Sequence, residues 1–553
     1  MNIDVSSFTN RRAVNRHERI SVGDVFERIT WSFPNKEAIV AWDGAFADPE
    51  NQRITYKQAD EKANKFANAL LAQGLKRGDR VLFYCTNSTE FFLAQVGAAK
   101  AGMVAVPVNI MMAPDLLSYV IQQVEPSFTI VDAELYPNAE KVFKENKLPV
   151  GVTIPIGGKV VDGSVSFNDF ISASPVTEPD IEIHGDDIFQ ILFTAGTTAM
   201  PKGVMQSHIY MYFCAIGHAM THTRGILTET DYIKGVFYPM FHIAAQGMTY
   251  SALFVGGTAV ITRKPDAELM PEILSKEKIT ATFGSPHDFM RLADIIGENP
   301  EKYDTSFLKI ISIGWGPFRP DYDLKLREIF GQDLVLIGYD GQTECVYDNR
   351  MWHHKWYEKY KKSAPRTNYL GVSHPFYATT VMDMEGNICP PGVVGEKVMR
   401  SPVMMAAYYK NEEATREAFK YGWLHSGDAA EYDDENLLIM VDRYKDIIKS
   451  GGENVSSVRV EQQLMLHPQV ELAAVVGLKH EKWQEAVTGF VVLKKDSQNQ
   501  PDEAELIAFC KESLGGYEVP KKIIFISEIP QTVGGKMQKY ILRDKYNEQC
   551  LLT

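Results

Sequence analysis

The residues that could bind a phosphate lie between Phe193 and His208, in the stretch FTAGTTAMPKGVMQSH. Its first half consists of small residues, whose backbone amides and hydroxyl groups can surround an anion without a bulky side chain intervening. It is not a Walker A loop, because in GxxxxGK counted from Gly196 the second glycine would fall on Pro201, and no Ser or Thr follows Lys202. The stretch predicts a phosphate-binding loop of another class, with an ordinary Gly- and Thr-rich turn as the alternative.

This stretch resembles the first core motif of the AMP-forming acyl-CoA synthetase, luciferase and adenylation-domain superfamily. That motif is close to Ser/Thr-Ser-Gly-Thr-Thr-Gly-x-Pro-Lys-Gly-Val followed by a helix. The chain departs from it with Ala195 for the usual serine and Ala199 for the usual glycine, so one hydroxyl contact is lost. The resemblance implies that ATP phosphates are bound by Thr194, Gly196, Thr197, Thr198 and Lys202.

A second motif is the aromatic turn that ends at His242, with Phe241 before it. A lone histidine in an apolar stretch is more often a core residue than a ligand. The resemblance favours the other interpretation, in which Phe241 and His242 lie beside the carboxylate that is activated.

A glycine-rich turn, Gly314 to Pro317, follows a predicted strand at Ile310 to Ile313. Glycines let the backbone lie flat against a ligand, and the resemblance implies adenine on one side of Gly314 and Gly316 and the acyl chain on the other. Trp315 replaces a normally small residue. We expect it to narrow an acyl pocket that also includes Gly338; the alternative is that its ring turns into the core.

The next motif has the family form Tyr-Gly-x-Thr-Glu, in which the aromatic ring stacks on adenine. In this chain Gly341 is preceded by Asp340, and the tyrosine, Tyr339, lies one place earlier. We expect Tyr339 to reach the base through a local bulge. The resemblance implies that Thr343 contacts the α-phosphate and that Glu344 holds Mg²⁺, an ion that favours oxygen ligands and substrate phosphates.

The remaining motifs lie toward the end of the chain. Asp428 resembles the aspartate that binds both ribose hydroxyls, since a carboxylate can accept two hydrogen bonds at once. Arg443 is implied as a ribose or phosphate contact, and Lys445 as the pivot of a hinge. The glycine-rich loop of a small domain follows, with Lys449, Gly451 and Gly452, and the last motif contains Lys536, implied as the cation that bridges the substrate carboxylate and the α-phosphate.

The elements that position these residues alternate between amphipathic helices and apolar strands, which is typical of an α/β fold. We expect a buried strand before the phosphate loop, ending at Phe193, and a helix that starts at His208. Shorter, mixed elements at the end of the chain suit a compact α+β lid. The sequence therefore predicts a large N-terminal domain of stacked α/β subdomains, residues 1–443, and a small mobile lid domain, residues 444–553.

Composition excludes several classes of function. The 553 residues carry a formal net charge of −14, which argues against nucleic-acid binding and against adhesion to anionic membranes. No residue from Gly235 to Thr262 is charged, but Pro239, His242 and a glycine pair interrupt this run, which favours a buried strand, turn and helix over a membrane span. The six cysteines form no CxxC pair and no secretory signal is evident, so reduced thiols and a cytoplasmic protein are expected.

The resemblance implies an AMP-forming carboxylic acid:CoA ligase that uses ATP, Mg²⁺ and CoA. An apolar pocket is suggested by Trp315, Met240, Phe241, Met248 and Tyr339. It is compatible with medium-chain, alicyclic, aromatic or thioether acids, and the resemblance does not choose among them. Because the sequence stops soon after Lys536 with no carrier domain appended, free CoA is the expected acceptor. A carrier-protein thiol, an oxygen acceptor, and a catalytically silent nucleotide sensor stay open, as does the oligomeric state, with a homodimer among the options.

One polar segment, Trp352 to Lys362, belongs to no motif. A solvated helix or surface loop is the favoured interpretation because charge runs are commonly solvated. A cationic lid over the phosphates of CoA is the alternative.

Overall fold

The computed structural model describes residues 19–194, 200–223, 231–314, 318–363, 367–444, 446–450, 453–494, 500–531 and 537–547. Helices and strands alternate along most of these residues, so the predicted α/β class is confirmed.

The helices and strands are given in chain order. The helices are α1 (Val22–Ser32), α2 (Tyr56–Ala72), α3 (Thr89–Lys100), α4 (Pro114–Val124), α5 (Tyr136–Glu145), α6 (Phe167–Ser172), α7 (His208–Thr223), α8 (Ile243–Leu253), α9 (Met270–Lys276), α10 (Pro286–Glu298), α11 (Pro320–Phe330), α12 (Tyr357–Ser363), α13 (Glu412–Ala418), α14 (Ser457–Met465), α15 (Glu503–Lys511) and α16 (Lys539–Asn547). The strands are β1 (Glu37–Trp42), β2 (Arg53–Thr55), β3 (Arg80–Tyr84), β4 (Val104–Pro107), β5 (Phe128–Asp132), β6 (Val152–Ile154), β7 (Val165–Ser166), β8 (Ile188–Thr194), β9 (Lys202–Ser207), β10 (Ile233–Val236), β11 (Thr258–Thr262), β12 (Ala281–Gly284), β13 (Ile310–Ile313), β14 (Val335–Gln342), β15 (Cys345–Trp352), β16 (Asn368–Ser373), β17 (Ala378–Met382), β18 (Gly395–Arg400), β19 (Ala407–Tyr408), β20 (Phe419–Lys420), β21 (Trp423–Tyr432), β22 (Leu438–Arg443), β23 (Ile448–Ser450), β24 (Glu453–Val455), β25 (Val470–His480), β26 (Gln484–Leu493) and β27 (Lys522–Phe525).

Within the described part of the chain these strands form three sheets. The largest has the order β17-β18-β21-β22-β16-β15-β14-β13-β12-β10-β11-β1-β2, with β20 on β21. Its strands from β1 to β14 are mostly parallel, and the pairs from β14 onward to β22 are antiparallel. The second sheet has the order β19-β9-β8-β4-β3-β5-β6-β7, and the third, from the end of the chain, is β24-β23-β26-β25 with β27 on β26.

Local sequence signals explain several elements. Thr55 caps α2 through a capping box with Gln58, which satisfies two backbone amides at the helix start. The hydroxyl of Tyr56 donates to the carbonyls of Leu253 and Gly257, so the start of α2 is fixed against the turn that follows α8.

The uncharged run from Gly235 to Thr262 forms β10, α8 and β11, so the predicted buried strand, turn and helix are confirmed. α8 is buried along almost its whole length between the two large sheets. Among the residues with a described position, no helix combines the length and the apolar character needed to cross a bilayer.

The hydrophobic core is divided in the same way as the sheets. One large cluster fills the space between the first two sheets, whereas separate clusters pack on the two faces of the third sheet. The third sheet starts at Ile448, shortly after β22 ends at Arg443. A small C-terminal domain is therefore present, and the exact boundary between residues 443 and 444 stays a prediction.

Candidate active site

The predicted phosphate loop connects two antiparallel strands. β8 and β9 pair so that Thr194 lies opposite Lys202, and this pairing fixes where the loop begins and ends. The central residues of the loop, Gly196, Thr197 and Thr198, lie outside the described residues. Their role in binding phosphates stays a prediction.

Lys202 and Glu344 meet at one tyrosine. Nζ of Lys202 lies 4.9 Å from the centroid of the Tyr408 ring. The hydroxyl of Tyr408 donates a hydrogen bond of 2.8 Å to Oε1 of Glu344. The cation expected at the phosphates and the carboxylate expected at the metal therefore lie on either side of one side chain.

The turn between β14 and β15 contains Thr343 and Glu344 and is fixed to the chain that follows the phosphate loop. The carbonyl oxygen of Thr343 accepts a hydrogen bond of 2.7 Å from Nε2 of Gln206 in β9 and one of 3.1 Å from the hydroxyl of Tyr210 in α7. Two motifs that are far apart in the sequence thus come together at one place.

Gly341, just before this turn, is required by close packing. A Cβ atom at this position would lie 2.5 Å from the backbone nitrogen of Tyr347, closer than Cβ atoms come to backbone in proteins. Any larger residue would push β14 away from β15 and displace Thr343 and Glu344.

Asp340 belongs to a buried network of charges around Lys397 of β18. The ammonium group of Lys397 is paired with Asp340 and lies 3.0 Å from Oδ2 of Asp348 and 3.7 Å from Oδ2 of Asp428. Arg443 closes the network, with Nε 2.7 Å from Oδ1 of Asp428. The residues implied for the ribose, Asp428 and Arg443, therefore form an ion pair that Asp340 joins through Lys397.

The ionisation of this network follows from its surroundings. Burial lowers the pKa of Lys397, but the carboxylates of Asp340, Asp348 and Asp428 outweigh burial and raise it well above its ordinary value. Burial raises the pKa of Asp348 to about 6, although Lys397 acts against this rise. Lys397 is thus a permanent cation beside the predicted ribose site.

Tyr339 is the residue predicted to stack on adenine. Its ring packs against α7, with its centroid 5.1 Å from that of His218 and 5.3 Å from that of Tyr347. Successive residues of a strand point to opposite faces, so Asp340 faces Lys397 and Tyr339 faces away from it. The pairing of β14 with β15 shifts in register between Asp340 and Gln342, directly after Tyr339. The contact of Tyr339 with adenine stays a prediction.

His242 and Phe241 precede α8. His242 is the residue before the helix, and its ring centroid lies 4.7 Å from that of Phe241. Burial lowers the pKa of His242 to about 4, so the imidazole is neutral at physiological pH. A neutral ring next to an aromatic one can donate a hydrogen bond to a carboxylate without adding a charge.

The structure describes two of the glycines predicted beside the acid, Gly314 and Gly338. The backbone amide of Gly314 donates to the carbonyl of Gly284 at the end of β12, and a Cβ atom on Gly314 would lie 3.0 Å from the ring of Phe283. Gly338 lies in β14 opposite Met351. Trp315 and Gly316 lie outside the described residues, so the hypothesis that the indole narrows the acyl pocket stays a prediction.

The small domain is docked through Asp442 of β22. Oδ2 of Asp442 accepts hydrogen bonds of 2.6 and 2.7 Å from the backbone amide and hydroxyl of Ser457, at the start of α14. Lys449 lies in β23 and is exposed. The hinge residue Lys445, the loop residues Gly451 and Gly452, and Lys536 lie outside the described part of the chain, and their roles stay predictions.

The segment from Trp352 to Lys362 ends β15 and forms α12. Nζ of Lys359 lies 2.5 Å from Oδ2 of Asp433 and 2.9 Å from Oε1 of Glu435. A lysine already paired with two carboxylates is less available to a phosphate, so the favoured interpretation, a surface helix, fits better than a lid for CoA.

The residues around Glu344 fit Mg²⁺ only together with a substrate. In the described ranges no three His, Cys, Asp or Glu side chains lie close enough to enclose a metal ion. Mg²⁺ is commonly bound through one or two carboxylates plus substrate phosphates and water. The carboxylate of Glu344, oriented by Tyr408, matches that mode.

Several residues of the site carry no motif in the sequence. Lys397 and Asp348 give no signal of their own, because their importance comes from strands that meet only in the sheet. Tyr408 follows an apolar segment, and nothing in the sequence around it indicates a functional role. Three other polar residues could have been noticed in the sequence. Lys234 directly precedes the uncharged run, and His218 and His222 are four residues apart, on one face of α7.

Comparison with known proteins gives a consistent result. The model of the family described as AMP-binding enzyme matches residues 26–409, and that of the AMP-binding enzyme C-terminal domain matches residues 459–536. The chain is 32% identical over 535 residues to the 4-hydroxybutyrate--CoA ligase 2 of Metallosphaera sedula, covering 94% of this chain and 93% of that protein.

Two further proteins are similar along nearly the whole chain. The long-chain-fatty-acid--CoA ligase FadD13 of Mycobacterium tuberculosis is 30% identical over 526 residues, which is 94% of this chain and 99% of that protein. The crystal structure of ATP-bound MatB from Rhodopseudomonas palustris superposes with a TM-score of 0.82 at 23% identity, covering 96% of this chain and 99% of that one. The likeness to MatB concerns the fold.

Proposed function

The chain belongs to the AMP-binding enzyme family, and from that premise we propose that it is an AMP-forming acid–thiol ligase that joins a carboxylic acid to CoA. It uses ATP, Mg²⁺ and CoA. The acid first takes up AMP from ATP, with release of pyrophosphate, and the acyl group then passes to the thiol of CoA.

The observation that supports this function most directly is the meeting of Lys202, Thr343 and Glu344. The phosphate loop starts from the strand pair that carries Lys202, and the same strand pair holds the turn with Thr343 through Gln206. The cation of Lys202 and the carboxylate of Glu344 therefore lie at one tyrosine, next to the backbone of Thr343, which supports charge stabilisation at a transferred phosphate.

The first half-reaction brings several negative charges together. A carboxylate is a poor electrophile, because attack on it would expel oxide, and linkage to AMP converts that oxygen into a stabilised leaving group. Bound Mg²⁺ neutralises phosphate charge. Lys202 and the loop amides hold the phosphates, Asp428 and Arg443 hold the ribose, and neutral His242 orients the acid.

In the second half-reaction the thiol of CoA must reach the acyl carbon, at a place that a lysine occupies during the first half-reaction. We assign the lysine to Lys536 and the pivot to Lys445, so that rotation of the small domain withdraws Lys536 and presents Lys449, Gly451 and Gly452. Asp442 supports this assignment, because it joins β22 to α14 at the position where such a rotation would act.

The identity of the acid and the cellular compartment are the finer parts of this proposal. The relatives are named for acids as different as a long-chain fatty acid and 4-hydroxybutyrate, so the apolar acid predicted from the sequence is one class among several. A cytoplasmic location and a homodimer stay predictions.

The test is an acid library assayed for pyrophosphate exchange into ATP, AMP release, and consumption of the CoA thiol. A ligase gives acid-dependent exchange and AMP, and a thioester only when CoA is added. Acid-dependent exchange without thiol consumption would indicate another acceptor. Nucleotide binding without exchange in the presence of any acid would indicate a silent nucleotide-binding homologue, and formation of ADP would exclude the AMP-forming reaction.

A further inference from the structure

A second group of polar side chains lies behind the turn of Thr343 and Glu344. It consists of His218 and His222 on α7 and Lys234 on β10, and we call it the basic cluster. All three are buried, with 1%, 0% and 0% of their surface exposed. The half-reactions described above use none of them.

The members of the basic cluster differ in their hydrogen bonds. The ring of His222 is paired on both nitrogens, 2.7 Å from the hydroxyl of Tyr232 and 3.1 Å from that of Ser312. The two ring nitrogens of His218 have no hydrogen-bond partner among the residues that the structure describes. The same holds for Nζ of Lys234. The described ion pairs likewise include no carboxylate that contacts Lys234.

Buried nitrogens without hydrogen-bond partners destabilise the folded protein, and more so if they are charged. The large majority of buried polar side-chain atoms in proteins have a hydrogen-bond partner. Two unpartnered donors on facing elements therefore indicate a binding site whose ligand supplies the acceptor.

The basic cluster adjoins the place where the acid is expected. The ring of His218 lies 4.9 Å from that of Tyr347, whose hydroxyl donates a hydrogen bond of 2.7 Å to the carbonyl of Ala244, two residues after His242. On the facing strand, Leu336 and Ile337 are buried, but β14 becomes partly accessible from Gly338 onward. The partly accessible end of β14 thus includes Tyr339, whose ring centroid lies 5.1 Å from that of His218 in the basic cluster.

The charges that face the basic cluster have one sign. Burial lowers the pKa of His218 well below its usual value, and the positive potentials of His222, Lys234 and His374 lower it further. Burial also lowers the pKa of Lys234 well below that of a free lysine. Arg350 approaches from β15 and donates to Thr221 of α7. An anion would relieve this repulsion and restore the charge on Lys234.

We propose that the acid carries a second carboxylate at the end remote from the carboxyl that is activated, and that Lys234 and His218 bind it. This inference rests on the proposed function and names its substrate class, a dicarboxylic acid. It replaces the apolar acid predicted from the sequence, because the residues around the tail are basic as well as aromatic.

The test compares matched pairs of acids, such as hexanoate with adipate, octanoate with suberate, and benzoate with terephthalate, in the pyrophosphate-exchange assay. We expect at least one diacid to exceed its matched monoacid by about tenfold or more in kcat/KM, as for a charged hydrogen bond. The variant Lys234→Met should remove that advantage, mainly through KM for the diacid, and leave the monoacid equal or better.

A matched control separates binding from folding. Lys234→Met should raise Tm, because it removes an unpartnered buried amine. Lys100→Met should lower Tm without changing the acid preference, because Lys100 is equally buried but lies 2.8 Å from Asp60 and 2.6 Å from Glu178. His218→Phe should weaken the diacid preference in the same direction as Lys234→Met.

The outcomes are distinguishable. An active enzyme that prefers monoacids, or whose acid preference is unchanged in Lys234→Met, overturns the dicarboxylate assignment and leaves the ligase intact. Equal use of 6-hydroxyhexanoate and adipate also overturns it, since a neutral acceptor would then suffice. No exchange with any acid overturns both proposals.

Discussion

Lys397 shows what a single buried charge contributes to this site. Its side chain is 1% exposed and lies against three carboxylates that belong to three different strands. Lys397 therefore holds the end of β14, at Asp340, close to Asp428 of the predicted ribose site. Breaking a buried ion pair by removing one partner leaves uncompensated charge. The three carboxylates would then repel one another in a medium that screens them poorly.

We therefore expect Lys397→Met to lower the free energy of unfolding by about 3 to 5 kcal/mol, measured by guanidinium titration of the full chain. Lys359 is the matched control, since it also faces three carboxylates but is 24% exposed. Lys359→Met should cost less than about 1 kcal/mol, as exposed pairs do. Equal losses in the two variants would contradict the organising role of Lys397.

Tyr408 provides a second test at the scale of one residue. Tyr408→Phe removes the hydrogen bond of 2.8 Å to Glu344 but keeps the ring that Lys202 contacts. We expect the Mg²⁺ concentration for half-maximal exchange to rise by about tenfold, as when a hydrogen bond to a charged group is lost.

Tyr408→Leu is the companion variant, because it removes the ring as well. It should also raise KM for ATP by about two- to fivefold through loss of the cation–π contact. A Phe variant with an unchanged Mg²⁺ response would exclude Glu344 as the metal ligand oriented by Tyr408.

At the scale of elements, helices α14 and α16 of the small domain are held by one buried pair. Nζ of Lys539 in α16 lies 2.7 Å from Oε1 of Glu461 in α14 and donates to the hydroxyl of Ser457 at 2.6 Å. Burial raises the pKa of Glu461 to about 7, although Lys539 acts against this rise. The carboxyl group thus titrates near physiological pH.

This pKa predicts how the stability of the small domain depends on pH. The folded pKa of Glu461 lies above the unfolded value of about 4.3, so its contribution is fully present below pH 4.3 and is lost as the pH rises through 7. Relative to Glu461→Gln, the wild type should lose about 2 to 3 kcal/mol between pH 4.5 and 7.5. Hydrogen exchange of the α14 amides measures this difference, and a pH-independent difference would contradict it.

At the scale of the whole molecule, we propose that one active site performs two half-reactions by changing the position of the small domain. The described structure supplies the fixed part of that site, on β8, β9 and the turn after β14. It also supplies the joint, where Asp442 of β22 caps α14. The moving lysine, Lys536, and the pivot, Lys445, come from the sequence motifs.

The prediction at this scale separates the two half-reactions. Lys536→Ala should reduce pyrophosphate exchange by at least about a hundredfold, as expected for loss of a charge-stabilising group at the transition state, and largely spare thioester formation from supplied acyl adenylate. Lys445→Pro should do the reverse, because proline restricts the backbone at the pivot. Equal loss of both half-reactions in either variant would argue against domain rotation.

The sequence by itself determined the class of fold and the positions of several elements. Strand β13 was predicted at its observed bounds, α7 at its first residue, and the strand before the phosphate loop to within a residue, because apolar periodicity and capping are local properties. The family and its chemistry also followed from the sequence, since motifs such as the one around Lys202 keep residue types that phosphate binding demands.

Only the tertiary structure decided which side chains face one another. Strand alternation turns Tyr339 toward α7 and Asp340 toward Lys397, since an offset of one residue reverses the face. Lys397 joins Asp340, Asp348 and Asp428 through strands distant in the sequence, and Lys234 of β10 lies close enough to His218 of α7 to lower its pKa. Such contacts depend on how sheets and helices pack, and a side chain's partners, burial and pKa are therefore fixed only when the chain is folded.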